Sequence, residues 1–378
     1  MSPDPDPACS PDAQRLLALG RSLAHSIRQA GGWLPFDAFM QQALYAPQLG
    51  YYASGSQQFG AWAADGSDFV TAPELSPLFG QLLARQLAEA LDATGTDEIW
   101  EFGAGSGALA RQVLQALAEV GASPRRYTIV DVSGALQARQ RAQLAEFGDR
   151  VRWAGALPDA LHGVVLGNEV LDAMPVKLLA RLGNAWHERG VALDGNGQDL
   201  VWANRLTGLR PPLEVEGRHD YVTEIHPQAE GFVRTVGELL ARGRGAAFFI
   251  DYGFPEAEYY HWQRHMGTLA CHQRHHVDNA PLQQVGAKDI TAHVNFTGIA
   301  LAAQDVGLDV LGYTSQGRFL LNLGLAEHMA AADLPARSRA MTLLAEHEMG
   351  ELFKVIALTA GDGWPALGFA AGDRTHRL

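Results

Sequence analysis

The sequence predicts a doubly wound α/β fold. Three observations point to it: a glycine-rich turn joining an apolar run to a helical one, a second β-branched run ending in an acid, and continued strand–helix alternation. In chain order, residues 1–10 are rich in Pro and Asp and read as frayed. Leu16, Leu17, Leu23, Ala24 and Ile27 mark one side of a first helix that stops at Gly31–Gly32, and Pro35 to Tyr45 reads as a second. From Ala46 to Glu74 no helical period holds, yet Tyr51, Tyr52, Phe59, Trp62 and Phe69 crowd the segment, which reads as a lid or binding loop. Ser76–Pro77 then opens a helix buried through Phe79, Leu82, Leu83, Leu87, Ala90 and Leu91.

Ile99, Trp100 and Phe102 read as a buried strand. Leu109 to Val120 follows as a helix with apolar positions 109, 113, 114, 117 and 120. Tyr127 to Asp131 predicts the second strand, Gly134 to Phe147 a helix, Arg150 to Ala156 the third strand and Gly163 to Leu166 the fourth. After Pro175 the pattern breaks into short β runs, Lys177 to Arg181, Trp186 to Leu193 and Leu200 to Asn204, around the turn Asp194 to Gly197. The alternation resumes with a helix at Gln228 to Arg242 and a fifth strand at Ala246 to Asp251. A polar, His-rich loop region, a helix near Asn295 to Val306, a strand at Val310 to Thr314, helices between Gln316 and Glu348 and a last strand, Phe353 to Thr359, complete it. The implied organisation is 1–95, amino-terminal helices and lid; 96–175, the first half of a ligand-binding domain; 176–226, a β-rich insertion; and 227–378, the second half.

With 378 residues, 47% hydrophobic and 19% charged, the composition is that of a globular protein. A net charge of −13 argues against a nucleic-acid partner, whose phosphates need clustered Lys and Arg. Cys9 and Cys271 stand far apart, so no disulfide framework is expected. No uninterrupted apolar run is long enough to span a bilayer, and the start lacks the basic and apolar regions of a secretory signal, so the expected place is the cytosol. The histidines from His261 to His276 match no closed zinc spacing, and no metal is expected.

The glycine turn carries the ligand reading. Gly103, Gly105 and Gly107 allow sharp bends and close approach of a ligand, and the helix start offers free N–H groups. GAGSGA also satisfies the loose dinucleotide pattern, but Glu101 beside it repels a pyrophosphate. A ligand with a protonated amine and a sulfonium suits that carboxylate better, so S-adenosyl-L-methionine is preferred over NAD. Glu101, Phe102, Gly103, Ala104, Gly105 and Gly107 are the candidate contacts on the turn. Asp131, with Val132 after it, ends the second strand where a ribose is held, and Ala156 and Leu157 flank the base.

Seven blocks then occur together and in order: ALYAPQLGYY (Ala43 to Tyr52), DFVTAPELSPLFG (Asp68 to Gly80), EFGAGSGALA (Glu101 to Ala110), GNEVLDAMPV (Gly167 to Val176), DYG (Asp251 to Gly253), DITAHVNF (Asp289 to Phe296) and MGELFKVIAL (Met349 to Leu358). Jointly they resemble the MidA-like class I methyltransferase family over roughly residues 30 to 360. The resemblance implies a seven-stranded class I methyltransferase sheet with a final antiparallel strand, an N-terminal helical cap and S-adenosylmethionine as cofactor. Mitochondrial members of that family methylate an arginine of a respiratory complex I subunit, so a protein arginine is the implied acceptor. One departure is Asp131, where a longer Glu is expected.

A guanidinium acceptor stays charged in water, so carboxylates must orient it and help remove its proton. Glu169 and Asp172, after the fourth strand, are the candidates, with Glu74 a third and Asn168 a clamp for the acceptor or the cofactor's methionine end. Glu74 and Asp172 also read as simple helix-start acids, and His293 and Asn295 as a packed histidine beside an N-cap. A cofactor-binding assembly protein without turnover and a small-molecule methyltransferase stand as alternatives.

Overall fold

The computed structural model describes residues 10–53, 71–131 and 133–378. Helix α1 (Pro11–Gln29) is capped by Ser10, whose side chain accepts from the Ala13 N–H. The chain continues through β1 (Leu34–Pro35), α2 (Phe36–Tyr45), α3 (Ala72–Leu75) and α4 (Pro77–Thr94). Ser76 caps α4 and Gly95, at φ 59°, ends it in the left-handed conformation that glycine tolerates.

The first half of the large sheet follows: β2 (Glu98–Phe102), α5 (Ala108–Glu119), β3 (Arg126–Val130), α6 (Gly134–Gln143), β4 (Val151–Trp153) and β5 (His162–Asn168). The helix predicted to run to Phe147 stops at Gln143. A 3₁₀ segment, Ala145–Arg150, takes over, with Gly148 turned to φ 55°.

The insertion comprises β6 (Lys177–Leu182), β7 (Ala185–Leu193), β8 (Leu200–Leu206) and β9 (Tyr221–Ile225). Its strands are ordered β1-β7-β6-β9, with β8 on the other side of β7. Strand β1 enters by pairing Leu34 with Val191. Leu19, Leu23, Phe36, Phe39 and Met40 therefore share one core with Leu178 and Val191, so the amino-terminal helices and the insertion pack as a single layer. Strand β9 was not expected, because its Glu224 breaks the apolar pattern. That carboxylate is fully buried, taking hydrogen bonds from the Tyr259 hydroxyl and the Thr268 and Leu269 N–H groups.

The remaining elements are α7 (Pro227–Arg242), β10 (Arg244–Phe254), α8 (Glu256–Tyr259), β11 (Ala270–Gln273), β12 (His276–Asp278), β13 (Asp289–Thr291), β14 (Val294–Asn295), α9 (Phe296–Gln304), β15 (Asp309–Ser315), α10 (Gln316–Asn322), α11 (Leu325–Ala331), α12 (Leu334–Leu344), α13 (Met349–Leu352) and β16 (Phe353–Ala360). The His-rich stretch read as loop instead holds the sheet β12-β11-β13. Its hairpin turns on Arg274 and His275, at φ 48° and 61°, so the usual glycine or asparagine signal of such a turn is missing.

The large sheet runs β15-β16-β10-β5-β2-β3-β4, with β14 beside β10. Strands β4, β3, β2, β5 and β10 are parallel and β16 is antiparallel to both its neighbours. One face packs on α4 and α5 through Leu83, Leu87, Val113 and Leu117, the other on α7 and α9 through Val233, Leu240 and Ile299. The chain winds outward from β2 to β4 and returns to β5 on the other side of β2. The carboxyl ends of β2 and β5 thus form the topological switch point, where a ligand cleft opens.

Candidate active site

A cleft of about 1580 Å³ lies at that switch point. Glu101, Phe102, Gly103, Ala104 and Gly105 form its wall at the end of β2, with Asp131 at the end of β3 and Asn168, Glu169 and Asp172 after β5. Glu74 of α3 joins them. Gly107 does not line the cleft; at φ 89° it is the N-cap of α5 and sets the helix start in place. Ala156 and Leu157 do not line it either. Strand β4 already ends at Trp153, and both residues face solvent, so the predicted base-flanking role has no geometric support. Val132 lies outside the described residues, as do Phe59, Trp62 and Phe69 of the aromatic segment expected to form a lid or binding loop.

The glycine turn has the shape required of a ligand cradle. Gly103, at φ 64°, donates its N–H to the Val130 carbonyl, and a Cβ there would stand 3.0 Å from the Val170 side chain. Glu101 is 2% exposed and accepts the Tyr127 hydroxyl at 2.8 Å. Burial pushes its carboxyl up to about 8, partly offset by that hydrogen bond, with the Asp131 charge adding to the rise. A cationic ligand would restore the ionised form. Asp131 is held by the Ser133 N–H and Gln140 Nε2, each at 2.8 Å, while Gln140 also donates to the Gly105 carbonyl and accepts from Trp153 Nε1. Sequence reasoning missed Tyr127 and Gln140, since an interior phenol and a helical glutamine carry no pattern of their own.

The second group follows β5. Glu169 has φ 54°, an uncommon left-handed conformation for a side-chain-bearing residue, and its N–H is anchored by the Ile250 carbonyl at 2.8 Å. Its Oε1 accepts from Asn168 Nδ2 at 2.9 Å. Burial, with the Asp172 charge adding, raises its carboxyl to about 8, and burial raises Asp172 to about 6 against the hydrogen bond from Tyr252. The loop is held from behind by Asp251, whose Oδ2 accepts the N–H groups of Val170, Leu171 and Asp172 at 3.2, 2.9 and 3.2 Å. Glu74 accepts the Ser106 hydroxyl, which ties α3 to the glycine turn. Asn295 caps α9 through the Gly298 N–H, whereas His293 faces the cleft between the rings of Tyr252 and Phe254. Burial lowers the His293 imidazole to about 4, so it is neutral at physiological pH.

Sequence reasoning also left out the far wall. Tyr45 and Tyr52 stack at 5.4 Å, and the Tyr52 hydroxyl hydrogen-bonds Asp289 at 3.0 Å. Their signals were membership of the ALYAPQLGYY and DITAHVNF blocks and, for Tyr52, a place in the aromatic segment read as a lid or binding loop. Glu74, Glu101, Asp131, Glu169, Asp172, Asp289 and Glu348 give the cleft seven carboxyl groups, with no Lys or Arg among the described residues lining it. Asn168 Oδ1 and Asp172 Oδ1 are buried acceptors with no hydrogen-bond donor among the described residues. Such a site is complementary to a cation rich in N–H groups.

Removing the hydroxyl from Tyr127 tests the electrostatic reading of Glu101. Tyr127→Phe deletes the bond that favours the ionised carboxylate, so the group titrates higher still. Calorimetric affinity for S-adenosylhomocysteine, measured against pH, is expected to gain its full strength at a higher pH than in the wild type. An unchanged pH profile would contradict this role for Glu101.

Residues 82–314 match the model of a family described as S-adenosyl-L-methionine-dependent methyltransferase. A structure of a Burkholderia thailandensis protein bound to S-adenosyl-homocysteine is 50% identical, covers 100% of both chains and has a TM-score of 0.93. The mitochondrial protein arginine methyltransferase NDUFAF7 homolog of Caenorhabditis elegans is 27% identical over 82% of this chain and 77% of its own. Its Homo sapiens counterpart is 26% identical over 81% and 73%. The two arginine methyltransferase relatives are named mitochondrial, which overturns the expected cytosolic placement.

Proposed function

The chain belongs to the S-adenosyl-L-methionine-dependent methyltransferase family, and from that premise we propose that it methylates an arginine side chain of a protein. The observation that carries this reading is the make-up of the cleft: seven carboxyl groups, which a bound cation would favour in ionised form, two donor-less acceptors and no Lys or Arg among the described lining residues. The names of the curated relatives, protein arginine methyltransferases, support it.

The cofactor supplies the sulfonium methyl group that is transferred. The residues of this chain do the rest by positioning and electrostatics. Glu101 and the glycine turn suit the cofactor's cationic methionine end, and Asp131 its ribose. Glu169 and Asp172 receive the guanidinium in charge-assisted hydrogen bonds, and Asn168 Oδ1 takes a further N–H. As the nitrogen gains its methyl group its proton is lost to Glu169, whose raised proton affinity fits it for that task near neutral pH. Glu74, bonded to Ser106, holds the edge of the site rather than a reacting atom.

Purified protein with S-adenosylmethionine and a peptide library should yield methylated arginine by mass spectrometry, with lysine and histidine peptides unmodified. Methylation confined to a small molecule, or to lysine, would overturn the arginine reading.

A further inference from the structure

We propose that the mouth of the cleft is a docking surface for an acceptor segment whose arginine is flanked by apolar side chains; this rests on the arginine reading above. Its central evidence is a row of residues across the three-stranded sheet. In register, His272 of β11 lies opposite Val277 of β12 on one side and Asp289 of β13 on the other. Directly opposed residues share a sheet face, and all three line the cleft. The row therefore passes from an apolar side chain at the rim, through an imidazole, to a carboxylate in the wall.

Val277 is 64% exposed, on the short strand β12 that, among the described residues, pairs with β11 alone. Leu352, on α13 at another edge of the cleft, is 46% exposed. Of the exposed large apolar residues described, these two are the ones that line the cleft. The cleft also exceeds the roughly 300–1,000 Å³ of an ordinary small-molecule site. Space beyond a cofactor and one side chain, a cation-seeking wall and an apolar rim together fit an extended peptide. Its arginine enters the carboxylates while its neighbours cover Val277 and Leu352.

The test is fluorescence anisotropy on protein saturated with S-adenosylhomocysteine. The probes are two labelled, acetylated pentapeptides, Gly-Leu-Arg-Leu-Gly and Gly-Gly-Arg-Gly-Gly. The leucine-flanked peptide is expected to bind about five- to tenfold more tightly. Val277→Asp and Leu352→Asp should erode that preference while leaving S-adenosylhomocysteine affinity unchanged. Should either aspartate variant fail to bind S-adenosylhomocysteine, Val277→Ser and Leu352→Ala replace it. Equal binding of the two peptides, or a preference that survives both substitutions, overturns the rim proposal alone. Binding of neither peptide to protein that still binds S-adenosylhomocysteine overturns the arginine reading beneath it.

Discussion

Glu169→Gln is expected to slow methyl transfer to an arginine peptide by about a hundred- to ten-thousand-fold. The glutamine keeps the size of the side chain and its reach to Asn168 but cannot take a proton. Affinity for S-adenosylhomocysteine should stay within about threefold, because Glu101 and the glycine turn are untouched. The pH profile sharpens the test. In the wild type the two carboxyls rise to about 8 and about 6, each mainly through burial. Activity should therefore climb with pH as the Glu169–Asp172 pair deprotonates, in steps that belong to the pair rather than to either residue. In Glu169→Gln the higher step disappears. A variant with wild-type single-turnover rates would remove Glu169 from the chemistry.

The same groups give the stability of the ligand-free protein a sign. Glu101 and Glu169 titrate near 8 when folded, above the value of about 4.3 for a free glutamate. The folded state then binds more protons than the unfolded one between these limits. Their contribution is fully present below about pH 4 and is lost as the pH rises through 8. The melting temperature of ligand-free protein is expected to respond in that direction across this window, and a cationic ligand should offset the loss. Independence of ligand-induced stabilisation from pH would show that the cleft carboxyls are already compensated.

Asp251→Ala should have the largest effect on the fold of the site. Asp251 is 1% exposed, and its carboxyl accepts three consecutive N–H groups of the loop that carries Glu169 and Asp172, plus that of Tyr252. Alanine leaves those donors buried and unmatched, a loss of about 3–5 kcal/mol given roughly 1–3 kcal/mol for each unsatisfied group and incomplete additivity. Denaturant unfolding measures it, and activity should fall with it because the loop loses its left-handed bend at Glu169. Asp251→Asn keeps one carbonyl oxygen for the loop and should cost less. A loss below about 1 kcal/mol from alanine would mean the loop is held by other contacts.

Much of this architecture was legible because local patterns coincide with what the fold needs. Glycines 103, 105 and 107 all adopt positive φ, as a tight turn demands, and the serine cap and first-turn proline mark the helix start at Pro77. Glu101 and Asp131 could be placed because strand ends and parallel topology fix where the ends of β2 and β3 fall. Less was legible where the signal is not local. Strand β9 hides behind a buried glutamate whose partners, Tyr259 and Thr268, lie far along the chain. The β11–β12 hairpin turns on arginine and histidine, which announce nothing. Ala156 and Leu157 were misplaced by extending β4 beyond the three residues that pair with β3.

The sequence by itself determined the class of sheet, the ligand turn and the acids that end its strands, since periodicity, glycine conformation and charge act over a few residues. Tertiary structure alone decided which of those acids meet in one cleft, that Asp251 braces the Glu169 loop and that Tyr52 and Asp289 close the far wall. Burial sets the proton affinity of each carboxyl, and burial is a property of neighbours brought from distant parts of the chain.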